Sequence, residues 1–258
     1  MSGLALALHQ FRYDQKVFWR NPASVFFTVL LPVIFLFIFA TIFGSDEIEV
    51  PGGEIKTTTY YVPGIITLAV VSATAQSLAI SLTVDRENGI LKRSRGTPLP
   101  SSVFIAGRIG NAITVSTIGL VVVAALGRIV YDVEIPWDRL PAVLLTLVVG
   151  AAAFCCIGVA LTAIIPSEDA APAITNAVLL PLYFMSGVFI PDSEIPEGVL
   201  KVADFFPIRH FFEAFFAAWN PLTTGSGFEW VHLAIVAGWG LAALLIAVRT
   251  FRWTPRGS

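Results

Sequence analysis

A short charged segment between two long apolar runs carries the residue types best suited to contacting a partner. It reads Asp85-Arg86-Glu87-Asn88-Gly89-Ile90-Leu91-Lys92-Arg93-Ser94-Arg95-Gly96-Thr97-Pro98-Leu99-Pro100. Its composition predicts a short amphipathic helix that stops at Gly96 and Pro98. Such a helix can dock in a groove of a soluble partner. The alternative is a basic loop of the kind that membrane proteins keep on their cytoplasmic side.

Motifs of the common catalytic sites are absent from the sequence. There is no H-E-x-x-H, no G-x-S-x-G, no spaced Cys/His cluster and no Gly-Lys pair of a phosphate-binding loop. The histidines His9, His210 and His232 are isolated along the chain, and we expect structural roles for them. We therefore predict that the chain is not an enzyme, holds no cofactor or metal, and has no nucleic-acid partner.

Ionisable residues are nearly absent from the long apolar runs. Only Arg108 and His232 fall within them, both near an end. Carriers that are coupled to protons or ions need such groups near the middle of the membrane. A transporter with this sequence would have to take its energy from elsewhere. The mild polar residues inside the runs, such as Thr175 and Asn176, have hydrogen bonding between helices as their ordinary role.

The apolar runs themselves are long enough to cross a membrane. Hydrophobic residues make up 56% of the 258 positions and charged residues 13%, whereas a soluble domain has about 25% charged residues. About 20 apolar residues cross the hydrocarbon as a helix. Six segments qualify: Ala23 to Phe43, Tyr61 to Val84, Val103 to Gly127, Leu140 to Ile165, Ala170 to Ile190, and Trp230 to Val248. The fold class predicted is an all-α integral membrane protein with six transmembrane helices, formed by one domain, residues 1–258.

Charge predicts the orientation of these helices. With the N-terminus in the cytoplasm, 11 of the 16 Lys and Arg residues and five of the 18 Asp and Glu residues face inward. The inner side then has a net charge of +6 and the outer side −8. Because positive residues concentrate in cytoplasmic loops, we predict a multi-pass protein of the cell membrane with both termini in the cytoplasm.

The N-terminal segment, residues 1–21, has its own pattern. Apolar residues recur near helical spacing, while Arg12, Lys16 and Arg20 follow one another every four residues. This predicts an amphipathic interfacial helix, with membrane lipid on its apolar face and anionic headgroups along its basic row. The alternative is an amphipathic helix packed on the protein's own transmembrane helices.

Residues 191–227, before the last run, form a long aromatic connection. After Pro207, the residues Phe211, Phe215 and Trp219 recur every four positions, so one helical face is nearly all aromatic. Such a face favours the lipid interface or a packed groove. We predict two short re-entrant helices in the outer leaflet, with a plain aromatic anchor at the outer surface as the alternative.

Two of these stretches resemble the type-2 ABC transporter permeases, the membrane subunits of drug, lipid and polysaccharide exporters. The segment Asp85 to Pro100 is similar to the family's E-x-G-x-(about 8 residues)-P pattern, with Glu87, Gly89 and Pro98 at the matching places. The stretch F-M-S-G-V-F-I-P-x4-P, followed by F-F-P-I-R-H-F-F-E-A, is similar to the segment before the last span. Where many relatives have N-P-x-T-Y, this chain has F-P-I-R-H, residues 206–210.

The resemblance implies a permease that works as a homo- or heterodimer with an ABC ATPase subunit under each half. ATP and Mg would bind that ATPase and not this chain. The residues expected to couple the ATPase to the membrane are Asp85, Arg86, Glu87, Gly89, Ile90 and Leu91. The candidates for the outer segment and the pathway are Asn176, Phe184, Met185, Phe189, Phe211, Phe215 and Trp219.

The function that we expect is therefore that of the transmembrane subunit of an ATP-driven exporter for hydrophobic or amphipathic substrates, such as drug-like compounds, lipids or glycans. A membrane anchor or assembly subunit without a pathway of its own is the alternative. A membrane-embedded enzyme is the weakest hypothesis, because the sequence shows no polar dyad or metal cluster.

Overall fold

The chain folds into a bundle of long helices with short helices at its ends. The structure, a computed structural model, describes residues 3–44, 46–50, 52–95 and 101–255. The helices are α1 (Gly3–Trp19), α2 (Pro22–Val25), α3 (Leu31–Phe43), α4 (Thr57–Val71), α5 (Ser77–Glu87), α6 (Ile90–Arg95), α7 (Ser101–Tyr131), α8 (Leu140–Leu161), α9 (Ala170–Met185), α10 (Glu197–Ala203), α11 (Pro207–Trp219) and α12 (Trp230–Thr250). The strands are β1 (Glu47–Val50) and β2 (Gly53–Lys56).

Two of the long helices contain a single wider, π-helical turn. Phe26–Leu30 joins α2 to α3, and Ser72–Gln76 joins α4 to α5. In the second turn the amide of Ser77 donates to the carbonyl of Ser72, five residues earlier. The hydroxyl of Thr74 donates to the carbonyl of Val70 at 2.6 Å. Each pair of helices is therefore one continuous rod with a local change of pitch.

Five rods are long and apolar enough to cross a membrane: Pro22–Phe43, Thr57–Glu87, Val103–Tyr131, Trp137–Leu161 and Trp230–Thr250. They match five of the six predicted spans. The sixth, predicted as Ala170 to Ile190, is the 16-residue helix α9, which ends at Met185. The chain turns there because Gly187 adopts a φ of +80°, a conformation that glycine tolerates and that ends the helix.

The helix α4 forms the centre of the bundle. It packs against α3, α7, α8 and α11, and nearly all of its residues are buried, whichever way they point. A helix that is apolar on all sides belongs in such a central position. Its internal Pro63 costs one backbone hydrogen bond, but the helix continues through it.

The N-terminal helix α1 packs along the first turns of α7. The Phe11 ring and the Gln10 side chain lie against Gly110 and Gly107, where the missing side chains let the two helices approach closely. Phe18 is buried against Val115, whereas apolar residues on the opposite face are exposed. The alternative of packing on the protein's own helices is therefore correct for one face of α1.

A two-stranded antiparallel hairpin follows the first rod and corrects the all-α expectation. Glu47 pairs with Lys56 at its open end and Val50 pairs with Gly53 next to the turn, where Gly52 and Gly53 have φ of +103° and +141°. Alternate residues such as Val50 and Ile55 are buried, the period expected of a strand with one covered face.

Candidate coupling site and outer helical segment

The charged segment after the second rod forms two short helical pieces and not one. The helix α5 ends at Glu87, Asn88 caps it, and α6 begins at Ile90. Gly89 lies between them with a φ of +67°, which only glycine adopts without strain. The expectation of one helix starting at Asp85 is therefore wrong. The predicted stop at Gly96 and Pro98 lies outside the described residues.

Arg86 is the buried centre of this site. Its guanidinium is 2% exposed and donates to the carbonyl of Thr162 at 2.9 Å and of Ile165 at 2.7 Å. Both carbonyls belong to the end of α8 and the connection to α9. Arg86 was expected to face a soluble partner. It instead joins the end of one rod to the end of another, because burying its charge requires acceptors and the unpaired carbonyls at a helix end supply them.

Glu87 accepts a hydrogen bond from Nε of Arg86 at 2.6 Å. Its side chain is 18% exposed. A single helix beginning near Asp85 would place this carboxylate in its first turn, where it would stabilise the helix. Glu87 is instead the last residue of α5, so that prediction is wrong. Its position instead lets it orient the buried guanidinium beside it.

The apolar pair in α6 divides between two environments. Leu91 is fully buried against Leu78, Leu82 and Phe104 of the bundle, whereas Ile90 is 40% exposed. The expectation that both fill a groove on a partner is wrong for Leu91. Ile90 is the one of the two that remains available to a partner.

Asp85 belongs to an ion-pair network that joins three helices. Arg108 of α7 donates to Asp85 of α5, and its Nε lies 3.4 Å from the carboxylate of Asp14 in α1. The guanidinium also lies over the ring of Phe104, 5.3 Å from its centroid. Burial raises the pKa of Asp14, and the charge of Arg108 partly offsets that effect. The sequence analysis noted Arg108 but not its partners, which lie 94 and 23 residues away in the chain.

The aromatic face of α11 is buried within the protein. Phe211 and Phe215 are fully buried, and Trp219 is 4% exposed. The Phe211 ring meets Phe154 edge to face at 5.2 Å and lies against Gly150, where any side chain would overlap it. Of the environments considered, the packed groove is correct and the outer-surface anchor is wrong for these residues. They pack inside the bundle.

The remaining pathway candidates lie on or just after α9. Phe184 is 50% exposed and Met185 is partly exposed, whereas Phe189 is buried against Phe35 and Phe39. Asn176 accepts a hydrogen bond from Gln76 at 2.8 Å. This bond pairs α9 with the π-helical turn of the second rod, so Asn176 has the hydrogen-bonding role that is usual for a polar residue between membrane helices.

The two ends of α9 fix its course through the bundle. At its beginning, Asn88 donates to Glu168 at 2.7 Å, beside the Arg86 contacts. Beyond its end, the Tyr60 hydroxyl donates to the carbonyl of Gly187 at 2.5 Å. Tyr60 and Asn88 stand at opposite ends of the second rod. The helix α9 therefore runs from one end of the bundle to the other.

A polar cluster around α11 was missed by sequence reasoning. Arg209 donates to both carboxylate oxygens of Asp192, at 2.9 and 2.8 Å, and to Asp204 at 2.6 Å. Glu213 lies 3.6 Å from the same guanidinium. Burial, together with the charge of Asp192, raises the pKa of Glu213 to about 7. The cluster fixes α11 to the connection that follows α9.

Two of the histidines, expected to be isolated, contact each other. Nδ1 of His210 lies 2.8 Å from Nδ1 of His232, and Nε2 of His210 lies 2.7 Å from the carbonyl of Asp204. The carbonyl can only accept, so Nε2 of His210 donates to it. A neutral His210 then accepts at Nδ1 from His232. The contact joins α11 to α12. Among the residues that the structure describes, no group of three or more His, Cys, Asp or Glu residues is arranged to hold a metal ion.

The chain is similar to known proteins over most of its length. A family model described as "ABC-2 type transporter" matches residues 9–219. The "Putative transport permease YvfS" of Bacillus subtilis is 20% identical over 235 residues, which cover 91% of this chain and 92% of the relative. The "Daunorubicin resistance ABC transporter permease protein DrrB1" of Streptomyces coeruleorubidus is 25% identical over 241 residues, 91% of this chain and 82% of the relative.

A third relative, "Nodulation protein J" of Rhizobium leguminosarum bv. viciae, is 25% identical over 198 residues and 74% of each chain. The family match includes α4 to α9, the Arg86 site and the aromatic helix α11. The long apolar rods agree with a multi-pass location in a membrane. The chain therefore belongs to the ABC-2 type transporter family, as a transmembrane permease subunit that is not itself catalytic.

Proposed function

We propose that the chain is the membrane subunit of an ATP-driven exporter that moves a hydrophobic or amphipathic substrate out of the cell. It acts as a dimer with a second permease chain, and a separate ABC ATPase binds ATP and Mg. The name of one relative includes daunorubicin resistance, which supports a drug-like substrate. The rods also lack ionisable groups near their middle, so ion coupling has no group to act through.

The proposed topology has six crossings, with both termini in the cytoplasm. The helix α9 has 16 residues, which corresponds to about 24 Å along its axis. This is shorter than the hydrocarbon thickness of about 30 Å, but the helix runs between the two ends of the bundle, and the chain continues to Gly187. The charge division of +6 and −8 supports the cytoplasmic side for Arg86, Glu168 and the ends of α1 and α12.

The contacts of Arg86 are the observation that carries the coupling proposal. A displacement of α6 by a docked ATPase is passed to Glu87 and Arg86 at the adjoining end of α5. Arg86 bonds directly to the end of α8 and to the connection that leads into α9. One contact at the surface thereby moves the second rod, α8 and α9 together. The exposed side chain of Ile90 supplies the apolar contact with the ATPase.

The outer segment has the proposed role of guiding release. Its helices α10 and α11 form a short re-entrant pair, in which Phe211, Phe215 and Trp219 hold α11 in the bundle. Phe184 and Met185 on the exposed side of α9 border the pathway. The polar cluster of Arg209 then keeps the loop after α9 in place while the spans move.

The coupling proposal is tested in proteoliposomes that contain the permease and its ATPase, with daunorubicin as the transported probe. The variants Glu87→Ala and Ile90→Asp should insert and assemble, yet lower both ATP-driven daunorubicin accumulation and the stimulation of ATPase activity. Ile129→Asp is a matched control, because Ile129 is 79% exposed near the C-terminal end of α7, away from Glu87 and Ile90. Transport and stimulation at the wild-type level in both variants would refute the coupling role. A complex that assembles but moves no probe would favour the anchor function.

A further inference from the structure

An apolar cavity lies between α7, α8 and α12, close to the C-terminal end of α12. Its volume is about 210 Å³. It is lined by Ile105, Ile109, Cys155, Cys156, Val159, Leu244, Ala247, Val248, Phe251 and Trp253. We call it the α12 pocket. A smaller cavity beside it shares Ile105, Ile109, Val159 and Phe251 with its wall.

The α12 pocket is open on the outer surface of the bundle. Leu244 is 44% exposed and Val248 is 76% exposed, although both line the pocket. The lining contains no charged side chain, and its polar side-chain groups are two thiols and the indole N–H of Trp253. Because the rest of the lining is hydrocarbon, the cavity suits a hydrocarbon chain.

The residues that follow α12 form the floor of the pocket. Phe251 and Trp253 fold back against the bundle, and the Trp253 ring lies 6.3 Å from that of Phe104. Between them, Arg252 is exposed. Since both of its neighbours line the cavity, Arg252 stands at the rim. Arg249 is exposed in the last turn of α12, one residue after the lining residue Val248 and therefore about 100° around the helix from it.

Neither of these two guanidinium groups has an acidic partner within the described part of the chain. Arg86 and Arg108, which lie at the same end of the bundle, are paired and largely buried. Exposed cations beside an apolar slot complement a molecule with an acyl chain and an anionic head. Basic pockets between membrane helices bind anionic headgroups in this way.

We propose that the α12 pocket binds one acyl chain of an anionic phospholipid, taken from the leaflet that meets the C-terminal end of α12. Arg249 and Arg252 bind the phosphate and the remaining headgroup. The chain contacts Cys156, Val159 and Ala247, and covers the rings of Phe251 and Trp253. The lipid thereby fastens the C-terminal segment to α7 and α8, at the same end of the bundle as Arg86. This site does not depend on the proposed transport activity.

Protection of Cys156 from N-ethylmaleimide tests the site on the full chain in detergent. Cys156 is partly exposed in the cavity, whereas its neighbour Cys155 is buried and is replaced by Ala to leave one thiol. Dioleoyl-phosphatidylglycerol at ten times its half-protecting concentration should slow the modification about tenfold, because about one tenth of the sites remain open. Dioleoyl-phosphatidylcholine, with the same chains and no net charge, should require a higher concentration.

The arginines are then tested by substitution. Arg249→Gln and Arg252→Gln should each raise the half-protecting concentration of phosphatidylglycerol by about fivefold, with the melting temperature in lipid-free detergent unchanged. Lys16→Gln, on α1, and Arg20→Gln, just after its end, remove the same charge from exposed positions and should have no effect.

Three outcomes would overturn the proposal. Equal protection by the two lipids would show that the headgroup is not recognised. An unchanged half-protecting concentration in both arginine variants would remove the proposed contacts. Protection by daunorubicin but not by phosphatidylglycerol would assign the pocket to the transported compound.

Discussion

Replacement of Arg86 by Met removes the guanidinium but keeps an unbranched apolar stem. In the wild-type protein this group donates to the carbonyls of Thr162 and Ile165 at 2.9 and 2.7 Å and is 2% exposed. A hydrogen bond to a charged group contributes about 1.5 kcal/mol or more. The loss of two such bonds should therefore lower the free energy of unfolding by about 3 kcal/mol.

The assay is thermal unfolding of the purified protein in detergent. For a chain of this size, each kcal/mol shifts the melting temperature by roughly 2–4 °C, so the expected decrease is about 6–12 °C. Arg93→Met is the matched control, because Arg93 is exposed and its bond to the carbonyl of Asn88 is 3.1 Å long at the surface. The control should change stability by less than about 0.5 kcal/mol.

The same variant separates stability from coupling. At a temperature where Arg86→Met is still folded, transport should fall further than ATPase activity, because the contact between α5 and the end of α8 is lost. A melting temperature within the error of the wild type, together with normal transport, would refute the view that Arg86 joins these rods.

Further predictions concern helix packing, ionisation and topology. Gly240→Ala should destabilise the protein by about 1–3 kcal/mol, since the added Cβ would lie 2.8 Å from the backbone of α8. As the control, Gly238→Ala on the same helix meets no atom within 4 Å and should be neutral or stabilising. Equal melting temperatures of the two variants would contradict this prediction. In the folded protein the pKa of Glu213 is about 7, above the ordinary value of 4.5. The free energy of unfolding therefore falls as the pH rises between these two values. Glu213→Gln should be more stable than the wild type at pH 8, by up to about 3 kcal/mol, and not at pH 5. A difference in melting temperature that is the same at both pH values would argue against this ionisation. A cysteine at Glu54 should react with a membrane-impermeant maleimide in intact cells and one at Lys92 should not, and the opposite pattern would reverse the topology.

The long helices could be predicted because each is a continuous apolar run with Gly, Pro or charged residues at its ends. The positions of Asp85 and Arg86 at the end of such a run were equally clear. The side of the helix on which each of these side chains lies could not be predicted, because exposed and buried positions alternate within a single helical turn. Ile90 and Leu91 show this limit: they are neighbours with the same chemistry, and only the packing of α6 against Leu78 and Leu82 decides which is buried.

Contacts between distant parts of the chain were the other limit. The partner of Arg108 in α1 is 94 residues away, and no local pattern indicates that α1 packs on α7. The contact between His210 and His232 likewise depends on the angle at which α11 meets α12. A strongly aromatic face could be predicted for α11, but its burial depends on Gly150, which provides the space for Phe211.

The π-helical turn at Ser72–Gln76 is a place where the second rod can change its length and its rotation about the helix axis. A π-helical turn contains one residue more than the corresponding α-helical turn, so a return to regular α-helix would release that residue to the next turn. The half of the rod that carries Arg86 would then rotate by about 100° and advance by about 1.5 Å against the half that carries Tyr60. Twisting at one end of the rod can thus be absorbed inside it, without unwinding of either half.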